Sequence, residues 1–135
     1  TETYACGADA LLLMASLLTP ASLSELLTAT RDLGLEALVE VHDERELEEA
    51  LEAGALVVGV NSRDLTTLEI DLERAHQLLR QVPADRVTVA ESGLNTRADI
   101  EALPENVDAV LIGTAFMSAP DPVAAIEAMG FAPCR

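Results

Sequence analysis

Five short apolar runs recur along the chain and limit what it can fold into: "ALLLMA" (Ala10–Ala15), "ALVEV" (Ala37–Val41), "LVVGVN" (Leu56–Asn61), "VTVAES" (Val87–Ser92) and "AVLIGT" (Ala109–Thr114). Each is aliphatic or β-branched and nearly continuous, as strands of a sheet covered on both faces read. Amphipathic segments of helical period lie between them. "TPASLSELLTATRDLG" sets Leu23, Leu26, Leu27 and Leu33 on one stripe, opens on Thr19-Pro20 and stops at Gly34. "DERELEEALEAG" opens on Asp43 as N-cap and closes on Gly54. "DLERAHQLLRQV", "TRADIEALP" and "DPVAAIEAMG" follow the third, fourth and fifth runs. Such alternation predicts a parallel sheet with right-handed crossovers. No Gly/Ser- or Pro-rich linker interrupts it, so a single domain over residues 1–135 is expected. Five units fall short of a closed eight-stranded barrel, which takes about 250 residues. The two candidates are an open doubly wound sheet and a partial (βα)8 TIM barrel of about five βα units.

Composition narrows the functional classes. Aromatic residues make up 2% of the chain, so the core must be built of Leu, Val, Ala and Ile. The formal net charge of −16 disfavours nucleic acid, whose phosphates need a cationic footprint. It fits a solvated acidic surface, and equally adaptation to high salt. No apolar run approaches bilayer length, and "TETYACGADA" has no basic signal-peptide start, so a cytoplasmic protein away from the membrane is expected. Cys6 and Cys134 form no CxxC and have no histidine at zinc spacing, so no metal is expected. Two reduced thiols are the expectation, and nothing in the sequence supports a disulfide joining the ends. Neither GxGxxG nor GxxxxGK[ST] is present, and no cofactor is expected. All eight basic side chains are arginine; the chain has no lysine. Schiff-base chemistry, or an amine acting as general acid, cannot come from within it.

Ligands of parallel α/β sheets gather at the C-terminal ends of the strands. The polar residues there are Ser16, Glu40, Asn61 with Arg63, Glu91 with Ser92, and Thr114. Glu40 lies between Val39 and Val41, where a carboxylate is costly unless it is paired or solvated; an exposed strand end is the alternative. Glu91 is in the same situation on another strand. Two such carboxyls make an acid/base pair whose protonation burial can separate. Arg63 suits a carboxylate or a phosphate, or else a salt bridge to Asp64 or Glu69.

Ser92-Gly93 and Gly113-Thr114 end the last two runs in small hydrogen-bonding loops. Barrels often bind phosphate with the loops after their last two strands, using backbone N–H groups. Glycine lets those donors approach the anion, and Ser92 and Thr114 add hydroxyls; ordinary βα turns are the plainer alternative. His42 follows a strand end and can line the mouth, whereas His76 falls mid-helix. Ser16 has no neighbouring base and no GxSxG elbow, against a serine hydrolase.

Taken in order, "GADALLLMAS", "LGLEALVEVHDERELEEALEAGA", "VVGVNSRDLTTLEIDLE", "VAESGLNTRADIEAL" and "DAVLIGTAFMSAPDP" resemble indole-3-glycerol-phosphate synthase, a (βα)8 barrel of tryptophan biosynthesis. The resemblance implies closure of 1-(o-carboxyphenylamino)-1-deoxyribulose 5-phosphate to indole-3-glycerol phosphate, with loss of CO2 and water. It implies Glu40 as general base, Glu91 as second active-site acid, Asn61 and Arg63 as substrate contacts, and Ser92, Gly93, Gly113 and Thr114 as the phosphate site. The runs resemble the family's fourth to eighth strands, and "TETYACGADA" the tail of its third helix. The units without a counterpart carry the family's catalytic lysines. The chain is therefore expected to be the C-terminal portion of such a synthase, inactive alone and completed by the missing N-terminal units. A non-catalytic module for a phosphorylated ligand, and a self-assembling half-barrel, are the alternatives.

Overall fold

The computed structural model describes residues 2–64 and 67–131. A short helix α1 (Glu2–Ala5) precedes strand β1 (Ala10–Met14), a 3-10 turn (Ala15–Leu17) and α2 (Pro20–Asp32). Then follow β2 (Glu36–Val41), α3 (Glu44–Glu52), β3 (Val57–Asn61), α4 (Leu72–Leu79), β4 (Val87–Glu91) and α5 (Arg97–Glu101). Strand β5 (Ala109–Leu111) and helices α6 (Thr114–Met117) and α7 (Pro122–Ala128) close the order. Cys134 lies outside the described residues; Cys6 is an exposed free thiol.

Helix starts are fixed by side-chain caps, as short polar residues there satisfy otherwise orphan amides. Thr19 accepts from the Ser22 amide, Asp43 from Glu46, and Asp71 from Arg74. Thr96 and Asp99 form a reciprocal capping box. The buried stripe of α2 is Leu23, Leu27 and Thr30. Leu26 and Leu33, expected on it, are exposed at its rim.

All five strands are parallel and ordered β1-β2-β3-β4-β5. That order never reverses, which excludes the doubly wound sheet: right-handed crossovers put every helix on one side. The chain is a partial (βα)8 barrel of five units. Strand pleating separates two faces. Leu13, Val39, Val41, Val58, Val60, Thr88 and Ala90 point to the helices and are buried. The opposite, inner face carries Leu12 (49% exposed), Val87 (44%) and Leu111 (52%). The helices cover one face of the sheet and leave the inner one open within this chain. The runs are apolar on both sides because the inner face of a barrel packs against strands from across it. The last strand also ends earlier than its apolar run, at Leu111, with Gly113 serving as N-cap of α6.

Candidate active site

Strand register assembles the polar centre. Glu40 of β2 pairs with Gly59 of β3, and Asn61 of β3 pairs with Glu91 of β4. All four share the inner face. Glu40 and Glu91 are buried, 5% and 3% exposed, so the alternative of an exposed strand end is excluded for both. They reach each other across β3 because Gly59 lacks a side chain. A Cβ there would run into the Glu91 carboxyl, with Leu38 close behind. Burial, then the Glu40 charge, pushes the Glu91 carboxyl up from 4.5 to about 8. Glu91 is thus a protonated acid at neutral pH, within reach to donate to Glu40.

His42 extends this pair. Its Nε2 stands 3.4 Å from Glu40 Oε1 and its Nδ1 3.2 Å from Glu46 Oε2. The first contact is at ion-pair distance without hydrogen-bond alignment, so Glu40 Oε1 and His42 Nε2 have no hydrogen-bond partner among the described residues. Glu46 is itself 5% exposed on α3, and its Oε2 also accepts from the His42 amide at 2.8 Å.

A cleft of about 570 Å³ opens beside these groups, lined by Ser16, His42, Glu46, Asn61, Arg63 and Arg74 among others. Asn61 Oδ1 accepts from the Arg63 amide at 3.0 Å, and Arg63 Nη1 donates to the Leu68 carbonyl at 3.3 Å. The Arg63 backbone bridges antiparallel to Ile70, so the two ends of the β3–α4 connection lie side by side. The guanidinium thus reaches a carbonyl of its own loop, and no ion pair joins it to Glu69 among the described residues. Ser16 is exposed in the 3-10 turn after β1. His76 lies on α4 and does not line the cleft.

The two glycine loops differ. Ser92 and Gly93 both have left-handed backbone, φ 65° and 70°. For serine this conformation is costly, and such strain gathers at ligand sites. Gly93 is also crowded: a Cβ would meet Ile70, Leu72 and the Ser62 hydroxyl below 3.0 Å. Gly113 is neither left-handed nor crowded; space is open around it, and it caps α6 without a side chain. Because Glu91 pairs with Leu111, the two loops leave adjacent strands at matching positions. Thr114 is exposed at the first turn of α6.

Sequence reasoning reached Glu40, Glu91, Asn61 and His42 but missed Gly59 and Glu46. The signal for Gly59 was a glycine inside a strand, which marks close approach of another group. Glu46 reads as one more acid on a charged helix, and its burial depends on how α3 packs.

Among solved structures, a 3-hexulose-6-phosphate synthase overlays 95% of this chain and 63% of its own, with TM-score 0.77 and 17% identity. Thiamine phosphate pyrophosphorylase from Pyrococcus furiosus does so over 95% and 60%, with TM-score 0.73 and 22% identity. At these identities the likeness shows the fold alone. Sequence likeness is far closer. The indole-3-glycerol phosphate synthase of Streptomyces coelicolor, numbered 2, is 51% identical over 129 residues, 95% of this chain and 50% of that protein. That of Acetivibrio thermocellus is 50% identical over 119 residues, 87% of this chain and 46% of that protein. The chain thus spans about half the length of the curated relatives it matches. The family model described as indole-3-glycerol phosphate synthase matches residues 1–129, and the chain belongs to that family.

Proposed function

We propose that the chain supplies the carboxyl centre and phosphate loops of an indole-3-glycerol-phosphate synthase. The proposed reaction closes 1-(o-carboxyphenylamino)-1-deoxyribulose 5-phosphate to indole-3-glycerol phosphate, releasing CO2 and water. The observation that carries it is the buried Glu40–Glu91 pair over Gly59, one carboxyl protonated at neutral pH beside a second that can accept a proton. In this reading Glu40 is the general base and Glu91 the second acid. Asn61 fixes the loop that presents Arg63 to the anionic end of the substrate. The strained Ser92-Gly93 turn and the open Gly113-Thr114 turn hold the phosphate through backbone N–H groups and two hydroxyls.

The chain has no lysine, so the amine acid that protonates the ketone comes from barrel units outside it. The exposed inner face favours such a partner: Leu12, Val87 and Leu111 present the surface that strands from across a barrel cover. The same face supports the second reading, in which two copies cover one another without catalysis.

Turnover followed by indole fluorescence tests the proposal against little background, because the chain has no Trp. The 135-residue chain alone is expected to be inactive, and active with the N-terminal barrel segment of the Acetivibrio thermocellus relative. Glu40→Gln in that mixture is expected to abolish product. Product from the Gln variant at the unmodified rate refutes the assignment of Glu40, and no product from any mixture refutes the reaction.

A further inference from the structure

We infer that His42, anchored by Glu46, is a positioning residue that holds the Glu40 carboxyl in place. The inference rests on the reading of Glu40 as the base. The geometry is that of an imidazole between two buried acceptors. Glu46 Oε2 takes the His42 amide at 2.8 Å and faces ring Nδ1 at 3.2 Å, which fixes the ring at both backbone and side chain. That leaves Nε2 beside Glu40 Oε1, 3.4 Å away. Glu40 Oε1 and His42 Nε2 have no hydrogen-bond partner among the described residues, so the ring is the polar group against which that oxygen rests.

Charge balance points the same way. Glu40, Glu46 and Glu91 are all buried within one connected cluster. The cation nearest Glu46 besides His42 is Arg45, whose Nη2 is 3.7 Å from Oε1 on a side chain 65% exposed. Asp43 is occupied as the cap of the Glu46 amide. His42 is thus the side chain that lies against both Glu40 and Glu46. A carboxyl with such a neighbour keeps one rotamer.

Two measurements test this on the chain assembled with the N-terminal segment described above. The chain has two histidines, so ring 15N signals assign readily by comparison with His76→Gln. The His42 ring signals are expected to move in Glu46→Gln and in Glu40→Gln, the two carboxyls that the ring lies against. Signals unmoved in both variants overturn the inference. Turnover is the second readout. His42→Gln is expected to lower kcat at least about tenfold with KM nearly unchanged, less than the roughly 10²–10⁴ typical of a residue that itself moves the substrate proton. In His42→Ala, added imidazole is expected to restore turnover through the 570 Å³ cleft that His42 lines. Undiminished kcat in the Gln variant, or no response to imidazole, also overturns it. If the unmodified assembly makes no product, the proposed reaction falls, while the ring spectra still decide whether His42 rests against Glu40 and Glu46.

Discussion

The Glu91 carboxyl occupies the space that a side chain at residue 59 would take, so an absent group on β3 sets the position of an acid on β4. Gly59 is not at positive φ, so its role is spatial rather than conformational. Gly59→Ala is expected to destabilise the fold by about 1–3 kcal/mol through overpacking. Glu91→Ala removes the clashing atoms, and the double variant is expected to recover most of that loss. Urea midpoints of the two single variants and the double variant measure the coupling. Additive losses would show that the two positions are independent.

Stability is expected to fall with rising pH through Glu91. Its carboxyl sits at about 8 in the folded chain against 4.5 ordinarily. Between those values the native state binds more protons than the unfolded state, so unfolding free energy declines as pH rises and the penalty is complete above about 8. Glu91→Gln lacks this term. Its urea midpoint should gain on the unmodified chain between pH 4.5 and 8, and a pH-independent difference contradicts the assignment.

The two causes of that shift separate in Glu40→Gln. Burial is the larger and the Glu40 charge comes next. Neutralising Glu40 is expected to bring the Glu91 titration down part of the way, still above 4.5. A carboxyl 13C titration reads this directly. A full return to 4.5 would make the charge the dominant cause, and no movement would mean that the carboxyls do not interact.

The uncovered inner face predicts association. An apolar sheet surface carrying Leu12, Val87 and Leu111 at 44–52% exposure seeks a partner, and the free edges of β1 and β5 add unpaired backbone. The isolated chain is expected to self-associate at micromolar concentration, and Leu12→Asp with Leu111→Asp to shift it toward monomer. Light scattering showing a monomer for the unmodified chain would refute this.

Much of the fold was legible because strand and helix periods differ and because caps such as Thr19 and Asp43 mark helix starts. What covers the second face of the sheet was not legible. Leu12 and Leu13 are equally apolar, yet one faces helices and the other the open interior, and only strand order distinguishes them. Glu40 and Glu91 were legible as costly acids on apolar strands. That they meet was not, since their contact depends on register across β3 and on a glycine whose importance lies in what it omits. The distinction between the two glycine loops was likewise hidden, because backbone angles at Ser92 and Gly113 do not show in residue type.

The sequential strand order has one more consequence. Glu40, Gly59 and Glu91 sit on β2, β3 and β4, with β1 and β5 as outer rails. Anything that joins the sheet docks on those rails and need not disturb the carboxyls. A seam there leaves Glu40, Gly59 and Glu91 together on one chain, each on a strand that is already paired on both sides.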